Sequence, residues 1–77
     1  LKLGVADSDK FSDRELEVLR LVVAGETDAA IAEKLFISVR TVKQHIQSMR
    51  DKTGFRNRTE LAVRARESGL VINDKTE

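Results

Sequence analysis

SVRTVKQHIQSMRDKT, residues 38–53, predicts a single helix with a narrow apolar edge and a broad polar face. Ser38 can cap its start by accepting a hydrogen bond from a free backbone N–H of the first turn. Gly54 follows its last residue, where a left-handed conformation commonly ends a helix. The apolar residues recur at i, i+4 and i+7 and therefore form one stripe. They are Val42, Ile46 and Met49.

The opposite side of this predicted helix is polar and carries Arg40, Lys43, Gln44, Gln47 and Asp51. The lysine and the two glutamines of this face can hydrogen-bond the edges of bases. In the major groove of DNA, lysine pairs with guanine and glutamine pairs with adenine. A solvated surface is the ordinary alternative for such a face, and this segment alone does not decide between the two interpretations.

The charge of the chain is unevenly distributed, although the 77 residues carry a formal net charge of only +1. Residues 1–37 hold five Lys or Arg and eight Asp or Glu, whereas residues 38–58 hold six and one. Residues 59–77 hold three and four. A basic segment in an otherwise acidic domain is the pattern expected where a protein contacts phosphates.

Composition excludes several classes of function. The chain has no cysteine, so disulfides and thiolate metal sites are excluded. His45 is the sole histidine and has no carboxylate at i±3 or i±4, and no glycine-rich phosphate loop is present. We therefore expect no enzyme, no bound metal and no cofactor.

Membrane and secretion signals are also missing from the sequence. No apolar run approaches the roughly 18 residues that span a bilayer, so we expect no membrane association. No signal-peptide pattern occurs at the start, which predicts a cytoplasmic location. The chain begins at Leu1 instead of methionine, which suggests a fragment of a longer protein.

The caps and glycines of the remaining sequence predict an all-α fold of four helices. The helices span about residues 13–24, 28–35, 39–53 and 58–68. Ser12 and Glu15 fit a capping box at the start of the first helix, and Gly25 ends it. Phe36 and Ile37 form a tight connection between the second and third helices, which is a helix-turn-helix arrangement.

These elements define the expected domain organisation. A single folded domain is predicted over residues 11–70, which is consistent with the short length of the chain. Residues 1–10 are predicted to be a linker or a disordered lead-in, and residues 71–77 a polar tail.

The fourth predicted helix has a surface that suits pairing with a second copy. Its inward stripe consists of Leu61, Ala62 and Ala65, and the candidates for a dimer contact are Val63, Arg64 and Glu67. Alternatively, the alanines simply fit a small core. We prefer the dimer because a small domain gains specificity from a second copy bound to DNA.

Together, several segments resemble the LuxR-type helix-turn-helix, the DNA-binding output domain of NarL/FixJ-type response regulators and of quorum-sensing regulators. The similar segments are Phe11-Ser-Asp-Arg-Glu-Leu-Glu-Val-Leu19, Gly25, Ile31-Ala-Glu-Lys-Leu35, Ile37-Ser38 and Thr41-Val-Lys-Gln-His45. The resemblance covers about residues 11–70. The chain departs from the family pattern at Ala29 and Ala30, where a basic residue and a glutamate are usual, and at Thr53, where leucine is commoner.

The resemblance implies that the third helix enters the major groove and that Lys43, Gln44 and Gln47 contact bases. It also implies phosphate contacts from positions such as Thr41, His45 and Arg50, and pairing of two domains through the fourth helix. The basic segment enlarges the pool of candidates for phosphate contact. That pool adds Arg40, Lys52, Arg56 and Arg58.

The expected function is sequence-specific binding of double-stranded DNA by a bacterial transcriptional regulator, as the response-regulator output domain of a two-component system. A homodimer on DNA and a contact with RNA polymerase are further expectations. Two alternatives stay open. One is a helical protein-interaction module that docks through the same polar face, and the other is a domain like region 4 of a sigma factor.

Overall fold

The computed structural model describes residues 11–69, which form four α-helices and contain no strand. The helices are α1 (Asp13–Val23), α2 (Asp28–Leu35), α3 (Val39–Thr53) and α4 (Arg58–Ser68). The all-α prediction is confirmed. The predicted lead-in and the predicted tail lie outside the described residues.

Each helix begins directly after a polar residue, and the predicted caps Ser12 and Ser38 are confirmed. In each case the side-chain oxygen of the cap accepts a hydrogen bond from the backbone N–H of the third helical residue. The caps are Ser12, Thr27, Ser38 and Asn57. Helix α1 ends one residue earlier than predicted, because Ala24 is its C-cap and the chain then turns at Gly25.

The turn between α2 and α3 contains no glycine, yet one of its residues adopts the left-handed conformation. Phe36 has φ 59° and ψ 44°, and no other non-glycine residue within 11–69 has a positive φ. Two backbone hydrogen bonds stabilise this turn: Ile37 N–H donates to the Ala32 carbonyl at 3.0 Å, and Phe36 N–H donates to the Glu33 carbonyl at 3.4 Å. This is the Schellman pattern, whose hydrogen bonds offset the cost of a left-handed backbone conformation at a residue other than glycine.

Helix α3 crosses the centre of the domain and packs against the other three helices. Its predicted apolar stripe of Val42, Ile46 and Met49 is buried. The core beneath it includes Leu19 from α1, Ile31 from α2 and Leu61 from α4, and each of these side chains is fully buried. Partly buried apolar residues pack against this core. Only one narrow edge of α3 packs against the other three helices. The opposite face of α3 therefore lies at the surface of the domain.

Candidate nucleic-acid interface

The outward face of α3 carries the side chains that were predicted to contact bases. Arg40, Lys43, Gln44, Gln47 and Asp51 are all exposed. The first four, together with Val39, line an open depression of about 570 Å³. Within residues 11–69, the side chains of Lys43 and Gln44 have neither a hydrogen bond nor an ion pair, so their polar groups remain available to a ligand.

The start of α3 differs from the starts of the other helices in its charge. Helices α1, α2 and α4 each carry an acidic residue in the first turn, whereas α3 carries none. An acidic residue there would be stabilised by the helix dipole, typically by about 0.3–1 kcal/mol. Helix α3 therefore keeps the positive potential of its N-terminus uncompensated on the same end that bears Arg40 and Lys43.

The amide of Gln47 is oriented by two residues of its own helix. Its Nε2 donates to the Asp51 carboxylate at 2.9 Å, and Arg50 Nη1 donates to its Oε1 at 3.4 Å. An amide has two N–H donors and an oxygen with two lone pairs, so Gln47 keeps one donor and one acceptor for a base edge. This role of Asp51 was not predicted, although its i+4 spacing from Gln47 was the signal that could have revealed it.

Thr41 and His45 are half-buried and lie beside the outward face of α3. The Thr41 hydroxyl lies 2.9 Å from Ser38 Oγ, so these two hydroxyls share a hydrogen bond at the helix start. Among residues 11–69, no three histidine, cysteine or carboxylate side chains come together as a metal site would require.

Two arginines of the predicted phosphate pool are engaged in holding the fold together. The Arg50 guanidinium donates to the carbonyl of Phe55 at 3.5 Å and to the carbonyl of Arg56, and thereby closes the loop after α3. The Arg58 guanidinium donates to the Glu26 carbonyl at 2.7 Å and pairs with the Asp28 carboxylate. Arg58 therefore ties the start of α4 to the start of α2.

A third member of that pool, Lys52, forms an ion pair with a buried carboxylate. Its Nζ lies 2.7 Å from Oε1 of Glu15, which is only 5% exposed, and 5.8 Å from the centroid of the Phe11 ring. Burial by itself raises the pKa of Glu15, but hydrogen bonds from Lys52, the Ser12 backbone and Ser48, with the Lys52 charge, hold that pKa below its ordinary value.

The outward cations of this segment are fewer than its six basic residues. Arg40 and Lys43 are exposed on α3, and the Arg56 side chain, 88% exposed, lies 3.8 Å from Glu60 in a solvent-facing pair. Since such surface pairs contribute little energy, Arg56 can exchange Glu60 for a phosphate at small cost. Arg50, Lys52 and Arg58 already donate to internal partners, so fewer of their N–H groups are available to a phosphate.

The Glu15–Lys52 ion pair makes stability depend on pH. We expect Glu15→Gln, which keeps an acceptor for the Ser12 N–H, to lower the free energy of unfolding at pH 7 by about 1–2 kcal/mol. This is below the usual 3–5 kcal/mol for a broken buried pair, because Lys52 keeps partial contact with solvent. Since the folded-state pKa of Glu15 lies below its unfolded value, the contribution is complete above the unfolded pKa, about 4.3, and is lost as pH falls through the folded pKa.

Chemical denaturation between pH 7 and pH 2 measures this effect. The difference between wild type and Glu15→Gln should shrink below about pH 4. Glu17→Gln is the matched control, because Glu17 forms an exposed pair with Arg14 at 3.0 Å, and it should cost less than about 0.5 kcal/mol. A difference between wild type and Glu15→Gln that stays constant across this pH range would contradict the assignment.

A comparison with known proteins identifies the domain. Residues 9–65 match the family described as "Bacterial regulatory proteins, luxR family". The chain belongs to this family. The resemblance to the LuxR-type helix-turn-helix is therefore confirmed, and α2, the Phe36 turn and α3 are its helix-turn-helix. LuxR-type helix-turn-helix domains bind double-stranded DNA.

Three curated relatives illustrate the similarity of this LuxR-type domain. Transcriptional regulatory protein LiaR of Bacillus subtilis (strain 168) is 41% identical over 63 residues, which are 82% of the chain and 30% of LiaR. Oxygen regulatory protein NreC of Staphylococcus aureus (strain MRSA252) is 42% identical over 67 residues, covering 83% of the chain and 31% of NreC. The bialaphos biosynthetic pathway regulatory protein of Streptomyces hygroscopicus is 41% identical over 66 residues, which cover 86% of the chain and 26% of that relative.

The LuxR-type domain thus spans about a third or less of the length of these curated relatives. No solved structure gives a significant match to the chain. Within residues 11–69, no helix combines the length and the apolar character that a bilayer crossing requires.

In α4 of the LuxR-type domain, the alanines face the core and the predicted dimer candidates face solvent. Ala65 is fully buried and Ala62 packs against the core, so the alanines fit the core and do not form a free pairing surface. Val63 is 46% exposed, and Arg64 lies between Glu60 at 4.0 Å and Glu67 at 3.9 Å. The exposed side of α4 therefore consists of Val63 flanked by solvent-facing ion pairs.

Proposed function

We propose that this LuxR-type domain reads a specific sequence in double-stranded DNA by placing α3 in the major groove. The observation that carries the proposal is the outward face of α3, which is cationic and amide-rich and is fixed by a buried stripe on its other side. Lys43, Gln44 and Gln47 are assigned to base edges, where a good bidentate contact contributes roughly 1–3 kcal/mol of discrimination. Asp51 orients the Gln47 amide for this contact.

Contacts with phosphates position the domain on the duplex without reading its sequence. Arg40 and Arg56 are the outward cations that support this role. Thr41 and His45 lie beside the exposed row and are assigned to the adjoining backbone. We place Arg50, Lys52 and Arg58 in the scaffold, because each has an internal acceptor within residues 11–69.

Two domains are proposed to bind DNA as a homodimer through Val63, Arg64 and Glu67 of α4. Such a pair would read two half-sites separated by about one helical turn, roughly 34–36 Å. Because the curated relatives are about three times as long, we further propose that this domain is the output part of a cytoplasmic response regulator. A contact with RNA polymerase belongs to the same proposal.

Family membership favours this function over the two alternatives. A protein-interaction module would use the same exposed face of α3 for an acidic partner, and a sigma-factor region 4-like domain would also contain a helix-turn-helix. A competition experiment distinguishes the protein-interaction module from a DNA-binding domain. Unlabelled duplex would displace labelled duplex only if the chain has a site for DNA.

Selection of bound duplexes from a pool of random sequence tests the proposed function. We expect the 77-residue chain to enrich one half-site or two symmetric half-sites, with centres 10–10.5 base pairs apart or a multiple of that spacing. A chain that retains duplexes without enriching any sequence would bind phosphates only. A chain that retains no duplex at low ionic strength would not be a DNA-binding domain.

A further inference from the structure

Val39 is an apolar residue within the otherwise polar face of α3. It is the first residue of the helix, is 38% exposed, and lines the same depression as Lys43, Gln44 and Gln47. The spacings of i, i+4 and i+8 place Val39, Lys43 and Gln47 in one row along the helix. A ligand that fills this depression therefore also meets the methyl groups of Val39.

The stability of the helix does not explain a valine at this position. An acidic residue in the first turn would be favoured by the helix dipole, and the other three helices carry one. A β-branched residue loses side-chain freedom in a helix, which makes valine a poorer helix former than alanine or glutamate. Since its side chain also remains partly in water, Val39 gains less from burial than the fully buried Val42.

The major groove offers one apolar group among the exposed base edges, the C5-methyl group of thymine. Resting on the DNA-binding function proposed above, we propose that Val39 reads a thymine by contact between its methyl groups and that C5-methyl group. Residues four apart on a helix have Cβ atoms about 5–6 Å apart. Successive base pairs are about 3.4 Å apart. The thymine therefore lies within about two base pairs of the pair that Lys43 contacts.

Removal of one methyl group from the DNA tests this contact without altering the protein. In the duplex selected by the wild-type chain, each thymine is replaced in turn by uracil, which keeps every hydrogen-bonding group. We expect one replacement, near the Lys43 contact, to weaken binding about fourfold, the effect of one buried methyl group. The other replacements should change affinity little.

Protein variants then assign the lost contact to Val39. Val39→Ala should bind the thymine and uracil duplexes equally, and Val39→Thr, which keeps one methyl group and the branched shape, should retain part of the difference. Phe36→Ala is the matched control, because it removes the 93% exposed phenyl group next to the helix start and should keep the fourfold ratio. Thermal unfolding of each variant checks that the fold is retained.

Two outcomes would overturn the inference while leaving the proposed function intact. In one, no thymine of the selected duplex is sensitive to loss of its methyl group. In the other, Val39→Ala and Val39→Thr keep the wild-type ratio of thymine to uracil affinity, so the methyl group is read by another residue. If the wild-type chain binds no duplex, the proposed function fails first and the inference fails with it.

Discussion

Lys43→Ala should lower affinity for the selected duplex by roughly 5- to 150-fold, the range that corresponds to the loss of one good base contact. Affinity for random duplex should change far less, because a base contact contributes only where the right base is present. Lys43 is exposed at the middle of the α3 row and has no ion pair with another described residue. Its truncation therefore leaves the fold unchanged.

Fluorescence anisotropy titrations of the selected and random duplexes measure this ratio. Arg20→Ala is the control for charge, since it removes one exposed positive charge from α1, outside the depression on α3. It should change both affinities little and by similar factors. Equal losses on the two duplexes with Lys43→Ala would show that Lys43 contacts phosphate and does not read a base.

The salt dependence of binding should reflect Arg40 and Arg56, the outward cations assigned to phosphates, instead of all six basic residues of segment 38–58. For B-DNA, the slope of log affinity against log salt is about −0.9 for each phosphate neutralised. Arg40 and Arg56 therefore predict a slope of about −2 for each bound domain, and about a 12-fold loss of affinity between 50 and 200 mM salt. Six contacts would give a slope of about −5.

Titrations at several salt concentrations, with the number of bound domains determined in parallel, measure the slope. Arg40→Ala should make it shallower by about 0.9, whereas Arg20→Ala should leave it unchanged. A slope of about −5 would mean that Lys43, Arg50, Lys52 and Arg58 also contact phosphates. A flat series would exclude phosphate contact altogether.

The helices could be predicted from the sequence because their signals are local. Ser38 and Thr41 are three residues apart, so the cap of α3 depends on its own turn and not on the rest of the fold. Val42, Ile46 and Met49 similarly predict which edge of α3 is buried, because helical geometry alone places them in line. The outward position of Lys43 and Gln47 follows from the same geometry.

The left-handed turn at Phe36 could not be predicted in this way. Glycine is the residue that normally marks such a conformation, and the turn has none. The conformation is set by hydrogen bonds to the last turn of α2 and by Ile37, which packs against the core. It therefore depends on how α2 and α3 pack, which the sequence of the turn does not specify.

Local sequence signals were enough to predict the four helices of this LuxR-type domain, the buried edge of α3 and the row of side chains opposite it. The internal partners of the cations, in contrast, could be identified only from the packing of the helices. Lys52 pairs with Glu15 from 37 residues away, and Arg58 pairs with Asp28 from 30 residues away. A charged side chain pairs with whatever group folding brings within reach, so its role depends on distant segments, whereas caps and apolar stripes depend on neighbours along the helix.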